Sequence, residues 1–199
     1  MLDVVAPWFR WFDRRGGQQP DLVLANSRHT AKRIQTSWDR DAAVVYPPVR
    51  THFFTPDASP RDTFLLWAGA IEPAKRLDRV MALAERHGRR LVVVGEGSQS
   101  ARMRRVAGEH TTFLGRVSDE RLRELYRTAA AFVQLHEEDF GITVVEALAC
   151  GCPVMVHCTG GHAEIVTDGV GVQVDAENVE AIDSGFTCLL YTSPSPRDQ

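Results

Sequence analysis

Two carboxylates and a glycine stand at the centre of the stretch His136–Val154, HEEDFGITVVEALACGCPV. Glu138 and Glu146 have seven residues between them (139–145), and Phe140-Gly141 falls inside that interval. The preceding residues, Ala130–Leu135, are small and apolar, which predicts a buried strand. Beyond Gly141, Ile142, Val145, Leu148 and Ala149 recur at helical spacing, which predicts an apolar stripe along a helix. A strand therefore runs into a short acidic loop and then into a helix. In α/β proteins such a corner suits a phosphate, because the first helical N–H groups lack partners inside the helix and its dipole favours an anion. Gly141 puts no side chain in the way. Glu146, one turn further on, can offer a carboxylate to a diol such as a ribose. His136 is either a contact to sugar or phosphate or simply the residue that ends a strand.

Four other strand ends carry similar loops. After the predicted strand Phe64–Ala68 comes Gly69-Ala70-Ile71-Glu72-Pro73-Ala74-Lys75-Arg76, in which Lys75 is either a phosphate ligand or a solvated lysine at a helix start. Leu91–Val94 leads into Gly95-Glu96-Gly97, and Thr111–Leu114 leads into Gly115-Arg116-Val117. Pro153–His157 is the next strand, and Gly160-Gly161 opens a turn after it. Between these strands the pattern predicts helices over Leu77–Arg86, from Arg102 to Ala107, and from a Ser118 cap to about Ala129. Strands alternating with helices, and lacking internal polar residues, predict a Rossmann-like parallel sheet covered by helices on both faces. Ligands of such sheets bind at the carboxyl ends of the strands. Before this region lie a short strand at Asp21–Ala25, a helix capped by Asn26-Ser27 and running to Trp38, a strand at Ala43–Tyr46, and a linker over residues 50–62.

Composition excludes several classes. With 199 residues there is room for one domain, or for one and part of another. A net charge of −3 with mixed signs gives no broad footprint for nucleic acid. No run of about 18 apolar residues suggests a transmembrane helix, and the start lacks the apolar core of a signal peptide. Cys150, Cys152, Cys158 and Cys188 show neither CxxC nor zinc spacing, which fits reduced thiols of a cytoplasmic protein. Trp8, Phe9, Trp11 and Phe12 alternate with Arg10, Asp13, Arg14 and Arg15; such a helix either lies on a membrane surface or packs on a preceding domain. The final CLLYTSPSPRDQ, rich in Ser and Pro, reads as disordered and non-native.

The segment Glu138, Phe140, Gly141, Glu146, Ala147, Ala149, Gly151, Pro153, Val154 resembles the donor-site motif of retaining glycosyltransferases of family 4, enzymes of GT-B fold that use nucleotide sugars. Its EEDFGI form is similar to mannosyltransferases of bacterial cell-surface polysaccharide synthesis. The resemblance implies four regions. Residues 1–20 are the helical remnant of a first, acceptor-binding domain, and 21–62 are a bridge and linker. Residues 63–182 form the donor-binding domain, and 183–199 a disordered tail. It implies catalytic roles for Glu138, near the transferred sugar, and for Lys75, on the diphosphate. It places Gly69, Gly95, Val117, Phe140, Gly141, Ile142 and Glu146 around the donor, with Glu146 on the ribose and Val117 against the base. Two positions depart from the family pattern: Ala70 stands where Arg is usual, and Ala163 replaces a Pro. No cofactor or metal is expected beyond a nucleotide-sugar co-substrate, GDP-mannose ahead of UDP-sugars. The acceptor would be a glycan or a lipid-linked glycan, with peripheral contact at the inner face of the plasma membrane. The rivals are a nucleotide-binding module without turnover and a sugar-nucleotide epimerase of the same architecture.

Overall fold

A computed structural model describes residues 2–192 of the chain, and side chains over residues 5–190. Two compact units emerge, residues 1–48 and 49–199.

The first unit holds α1 (Leu2–Gly17), β1 (Leu24–Ala25), α2 (Arg28–Trp38) and β2 (Ala43–Val44). β1 and β2 pair in parallel, a shorter pairing than the two predicted strands. Ser27 caps α2 as expected, accepting from the Thr30 N–H at 3.0 Å. The end of α1 lies tight against Trp38, whose ring would meet a Cβ on Gly17 at 2.5 Å and whose Nε1 donates to Asp13 at 2.8 Å. Trp8, Phe9 and Phe12 on α1 are all more than 60% exposed.

The second unit contains β3 (Leu65–Ala68), α3 (Leu77–Arg86), β4 (Leu91–Val94), α4 (Ser100–Val106), β5 (Thr111–Gly115) and α5 (Asp119–Thr128). It continues with β6 (Ala131–Gln134), α6 (Ile142–Ala149), β7 (Val154–His157), β8 (Gly171–Val174) and α7 (Val179–Thr192). The six strands are all parallel, in the order β5-β4-β3-β6-β7-β8. The chain thus starts in the middle, winds outward one way, then returns and winds the other way from β6. Side chains alternate across the sheet. Leu65, Trp67, Leu91, Val93, Ala131, Val133 and Met155 join α3, Met103 of α4 and α7 on one face. Leu66, Ala68, Phe132, Val154 and Val156 join α5 and α6 on the other. Both faces are covered, as the uninterrupted apolar strands predicted.

Three expectations need correction. Residues 49–62 are part of the second unit and not a linker outside it, so its boundary is at 49 rather than 63. Phe54 is 1% exposed in the α5–α6 core. Arg61 donates to the carbonyls of Tyr126 (3.4 Å), Arg127 (3.2 Å) and Ala129 (3.0 Å) at the end of α5, and to Gly151 just after α6. These are carbonyls that helix ends leave without partners, so a cation satisfies both hydrogen bonding and dipole. Polar composition suggested a loose linker; the burial of one aromatic and the reach of one arginine make it a strap. Arg61→Ala is expected to lose about 1.5–3 kcal/mol, the usual worth of hydrogen bonds from a charged donor. Urea denaturation reads this as a lower midpoint at unchanged slope.

The second correction concerns the tail. Residues 183–192 are not disordered: α7 continues to Thr192 and buries Ile182, Phe186 and Leu189 against β8 and α3. Residues 193–199 lie outside the described residues. The third concerns α6. Its fully buried residues are Val144 and Ala147; of the predicted stripe, Leu148 and Ala149 pack on the same core while Ile142 is 45% exposed. In a helix that is apolar all round, spacing alone does not choose the inward face.

Candidate functional site

The reversal of strand order between β3 and β6 opens a crevice at their carboxyl ends, the place where doubly wound sheets bind ligands. The loop after β3 carries Gly69 and Lys75; the loop after β6 carries His136, Glu138, Phe140 and Gly141. Gln134, buried at 3% exposure at the end of β6, ties the crevice together. Its Nε2 donates to the Thr143 hydroxyl (2.8 Å) in α6 and to the Ala68 carbonyl (3.3 Å) in β3. Sequence reading missed Gln134, although a polar residue in an otherwise apolar strand was the available signal.

Lys75 closes a 3-10 turn at Pro73–Lys75, and Arg76 beyond it takes a left-handed conformation (φ 44°). That turn sends the neighbours in different directions. Arg76 pairs with Asp78 at 3.1 Å, while Lys75 Nζ meets Glu138 Oε2 across the crevice. Glu138 Oε2 also meets Nε2 of the buried His136 at 3.0 Å. Burial works against ionisation of Glu138, but the hydrogen bonds from His136 and Lys75 and their charges outweigh it and hold the carboxyl at about 2. The residue is an anion at any working pH.

The acidic loop has a rigid backing. Gly161 N–H donates to the Glu138 carbonyl at 2.6 Å, and a Cβ on Gly161 would meet the Asp139 carbonyl oxygen at 2.0 Å. The Gly160-Gly161 turn is therefore a buttress of backbone on backbone, and Ala163 in place of Pro does not disturb it. His162 follows, fully enclosed, its Nε2 2.9 Å from the His157 carbonyl. Burial depresses its pKa to about 4, so the ring is neutral. Gly141 caps α6 at φ 96°, and a Cβ there would meet His162 Cβ at 2.8 Å. The glycine is required by backbone conformation and by its packing on His162, in addition to any ligand.

Gly69 and Gly95 also come together. Gly95 has φ 117°, and a Cβ on it would strike the Gly69 carbonyl oxygen at 1.9 Å. The ends of β3 and β4 can approach this closely only with a glycine at position 95. Val117 sits between β5 and α5 with its side chain half-buried on the α5–α6 core. Phe140 is 7% exposed, so what it can offer a ligand is backbone.

Glu146 belongs to a second cluster. Tyr126 O–H lies 3.5 Å from its Oε2, and Arg50 of the strap lies near it. Burial raises the Glu146 carboxyl, and the Arg50 charge and the tyrosine only partly offset this. Arg50 itself donates to Asp119 at the start of α5 at 2.8 Å and stacks over Phe53 and Phe54 at 5.2 and 5.6 Å. Sequence reading placed Arg50 at the start of the presumed linker and gave it no role; only folding of the strap onto α5 brings it to the site. Arg116, in the same loop as Val117, is exposed. A separate groove, between the β7–β8 connection and α7, includes Val166, Val172 and Leu189, with Asp168 the one charged residue of its lining. The strand-end crevice is where the chemistry gathers.

A crevice of this kind, with one ammonium, one fixed carboxylate and a glycine-capped helix start, fits a diphosphate-bearing ligand. Residues 49–198 match the family described as glycosyl transferases group 1. The chain belongs to that family. Its relatives include a D-inositol 3-phosphate glycosyltransferase of Mycobacterium sp. (strain KMS), 33% identical over 89% of this chain and 46% of the relative. Another is a GDP-mannose-dependent α-(1-6)-phosphatidylinositol monomannoside mannosyltransferase of Mycolicibacterium smegmatis, 29% identical over 89% of this chain and 55% of the relative. The chain thus spans about half the length of these relatives. In fold, this glycosyl transferase chain is similar to a sucrose-phosphate synthase from Thermosynechococcus elongatus (TM-score 0.80, 21% identity, 92% of this chain and 52% of that one). It is also similar to Anabaena HepE in complex with UDP and glucose (TM-score 0.74, 19% identity, 90% and 56%). The GT-B resemblance of the sequence is thereby borne out at the level of family and fold.

Proposed function

We propose that the chain is the donor-binding half of a retaining glycosyltransferase that moves a hexosyl group, mannose in preference, from a nucleotide sugar to a glycan or lipid-linked acceptor. The observation that carries this reading is the Lys75–Glu138 pair spanning the β3/β6 switch point beside the start of α6. Lys75 and the α6 N–H groups take the diphosphate and stabilise charge growing on it as the sugar–phosphate bond stretches. Glu138 faces the sugar, where a fixed anion orients a hydroxyl and stabilises positive charge at the anomeric carbon. Glu146 accepts from the ribose hydroxyls. The mannosyltransferase relative, described as GDP-mannose-dependent, supports GDP-mannose as co-substrate, with no further cofactor required. The same relative's lipid-linked acceptor supports work at the inner face of a membrane by peripheral contact; no helix among the described residues is long and apolar enough to cross one.

Calorimetry with GDP, UDP and GDP-mannose tests the reading directly. Wild type is expected to bind, and Glu146→Ala to bind about tenfold or more weaker, the loss of about 1.5–3 kcal/mol from hydrogen bonds to a charged group. Equal affinity in the two proteins removes Glu146 from the ribose. A nucleotide-binding module without turnover is the second reading. A radiolabelled sugar-transfer assay with a lipid-linked acceptor separates the two: binding without transfer is its signature.

A further inference from the structure

His136 does not touch solvent enough to touch a ligand: it is 2% exposed, at the foot of the acidic loop. Its contribution runs through Glu138. Nε2 of His136 lies 3.0 Å from Glu138 Oε2, and Lys75 Nζ ends on the same oxygen. Both donors are spent on Oε2, and neither engages Oε1. Glu138 keeps a side-chain exposure of 23%, so its carboxylate still opens to the crevice.

The carboxylate partner settles which ring nitrogen donates: facing an ionised carboxylate, Nε2 of His136 carries a proton. Nδ1 is buried and has no partner among the described residues. The neighbouring ring of His162 lies 6.4 Å away between centroids. The other charged groups nearby are Lys75, which pairs with Glu138, and Arg79, whose guanidinium sits on the Leu135 carbonyl at 3.2 Å and on Glu177. His157, behind His162, accepts at Nδ1 from the Ala176 N–H at 3.1 Å.

We infer that His136 is a positioning residue: as an Nε2–H donor it fixes the Glu138 carboxylate, so that Oε1 remains the acceptor for a hydroxyl of the bound sugar. Lys75 cannot do this alone. It is a long, mobile cation at 29% exposure, and a diphosphate in the crevice would compete for it. When Lys75 turns to the phosphates, the histidine alone keeps the carboxylate ionised and aimed. The sugar contact rests on the nucleotide-sugar reading above; the hold on Glu138 does not.

A carbon-13 titration of the glutamate carboxyls in the 199-residue chain tests the hold. In wild type Glu138 is expected to show no titration above pH about 4. His136→Phe, which fills the space without a donor, should raise its midpoint by about one pH unit or more. His136→Gln, which restores an N–H, should recover half or more of that shift. An unmoved Glu138 midpoint in folded His136→Phe overturns the inference. So does a nitrogen-15 spectrum of the wild-type imidazole at pH 7 showing the proton on Nδ1, a result that needs no variant to fold. Calorimetry then compares GDP-mannose with GDP: the extra affinity contributed by the sugar is expected to vanish in His136→Phe. If Glu138 titrates as expected but that extra affinity persists, the positioning stands and the placement of the sugar at Glu138 falls.

Discussion

Lys75→Ala is expected to weaken binding of GDP or UDP to this chain by roughly tenfold to a hundredfold. Two effects act in the same direction. The diphosphate loses a charge-assisted hydrogen bond, worth about 1.5–3 kcal/mol. The Glu138 carboxylate also loses the cation that masks it, and it is an anion held at about 2 beside the place where another anion must bind. The second effect predicts a rescue. Lys75→Ala combined with Glu138→Gln should bind nucleotide more tightly than Lys75→Ala alone, because the repulsion has been removed. Calorimetry on the two variants decides the point. A double variant that binds as weakly as the single one means that Glu138 does not face the phosphate. The fold should tolerate both changes, since the pair sits at a crevice mouth and not in the core clusters.

Mild acid is expected to destabilise the protein through His162, well before its carboxylates protonate. In the unfolded chain the imidazole takes its proton near pH 6.5; in the folded protein burial delays this to about 4. Between those values the unfolded state binds more protons, so stability falls as pH falls, by up to about 3 kcal/mol once pH 4 is reached. Glu138 adds a second loss at lower pH. Its folded carboxyl is at about 2 against 4.5 unfolded, so the stability it contributes is present above about 4.5 and disappears on the way down to about 2. Asp62 and Asp183, also held low by their partners, act in that lower window. Urea midpoints measured at pH 7, 6, 5 and 4 should therefore decline across the whole series in wild type. His162→Gln keeps an N–H for the His157 carbonyl and removes the titration, so its decline should begin only near pH 5. Parallel losses in the two proteins between pH 7 and 5 would assign the acid response to other groups. The functional consequence is specific: a second proton on His162 would sit on the buried, unpartnered Nδ1 of a side chain packed against Gly141, so the start of α6 should loosen first.

Much of this site was legible because it is local. The Ser27 and Ser118 caps, the strands of Val and Leu, and the glycine that starts α6 are set by neighbours a few residues away, and each appears where its pattern put it. Errors arose where the deciding contact was distant. Residues 50–62 looked like a linker because they are polar, yet Arg61 reaches carbonyls 65 to 90 residues along the chain. The final helix was mistaken for a tail because its packing partners lie on β8 and α3. The apolar stripe of α6 is divided between core and solvent because an almost wholly apolar helix takes its orientation from the sheet beneath it.

By itself the sequence determined the order of strands and helices, the strand-to-helix corner at Gly141 and the residue types of the motif that marks the family. Periodicity and capping are properties of adjacent residues, so they survive without a fold. Only the tertiary structure decided which of those residues meet. The β5-β4-β3-β6-β7-β8 order sets Lys75 against Glu138 across 63 residues of chain and Arg50 against Asp119 across 69. It also encloses His136 and His162 beneath the acidic loop, where His136 meets a carboxylate oxygen and burial keeps the His162 ring neutral. Charge and proton position depend on distance and on the exclusion of water, and neither exists until the two halves of the sheet have closed side by side.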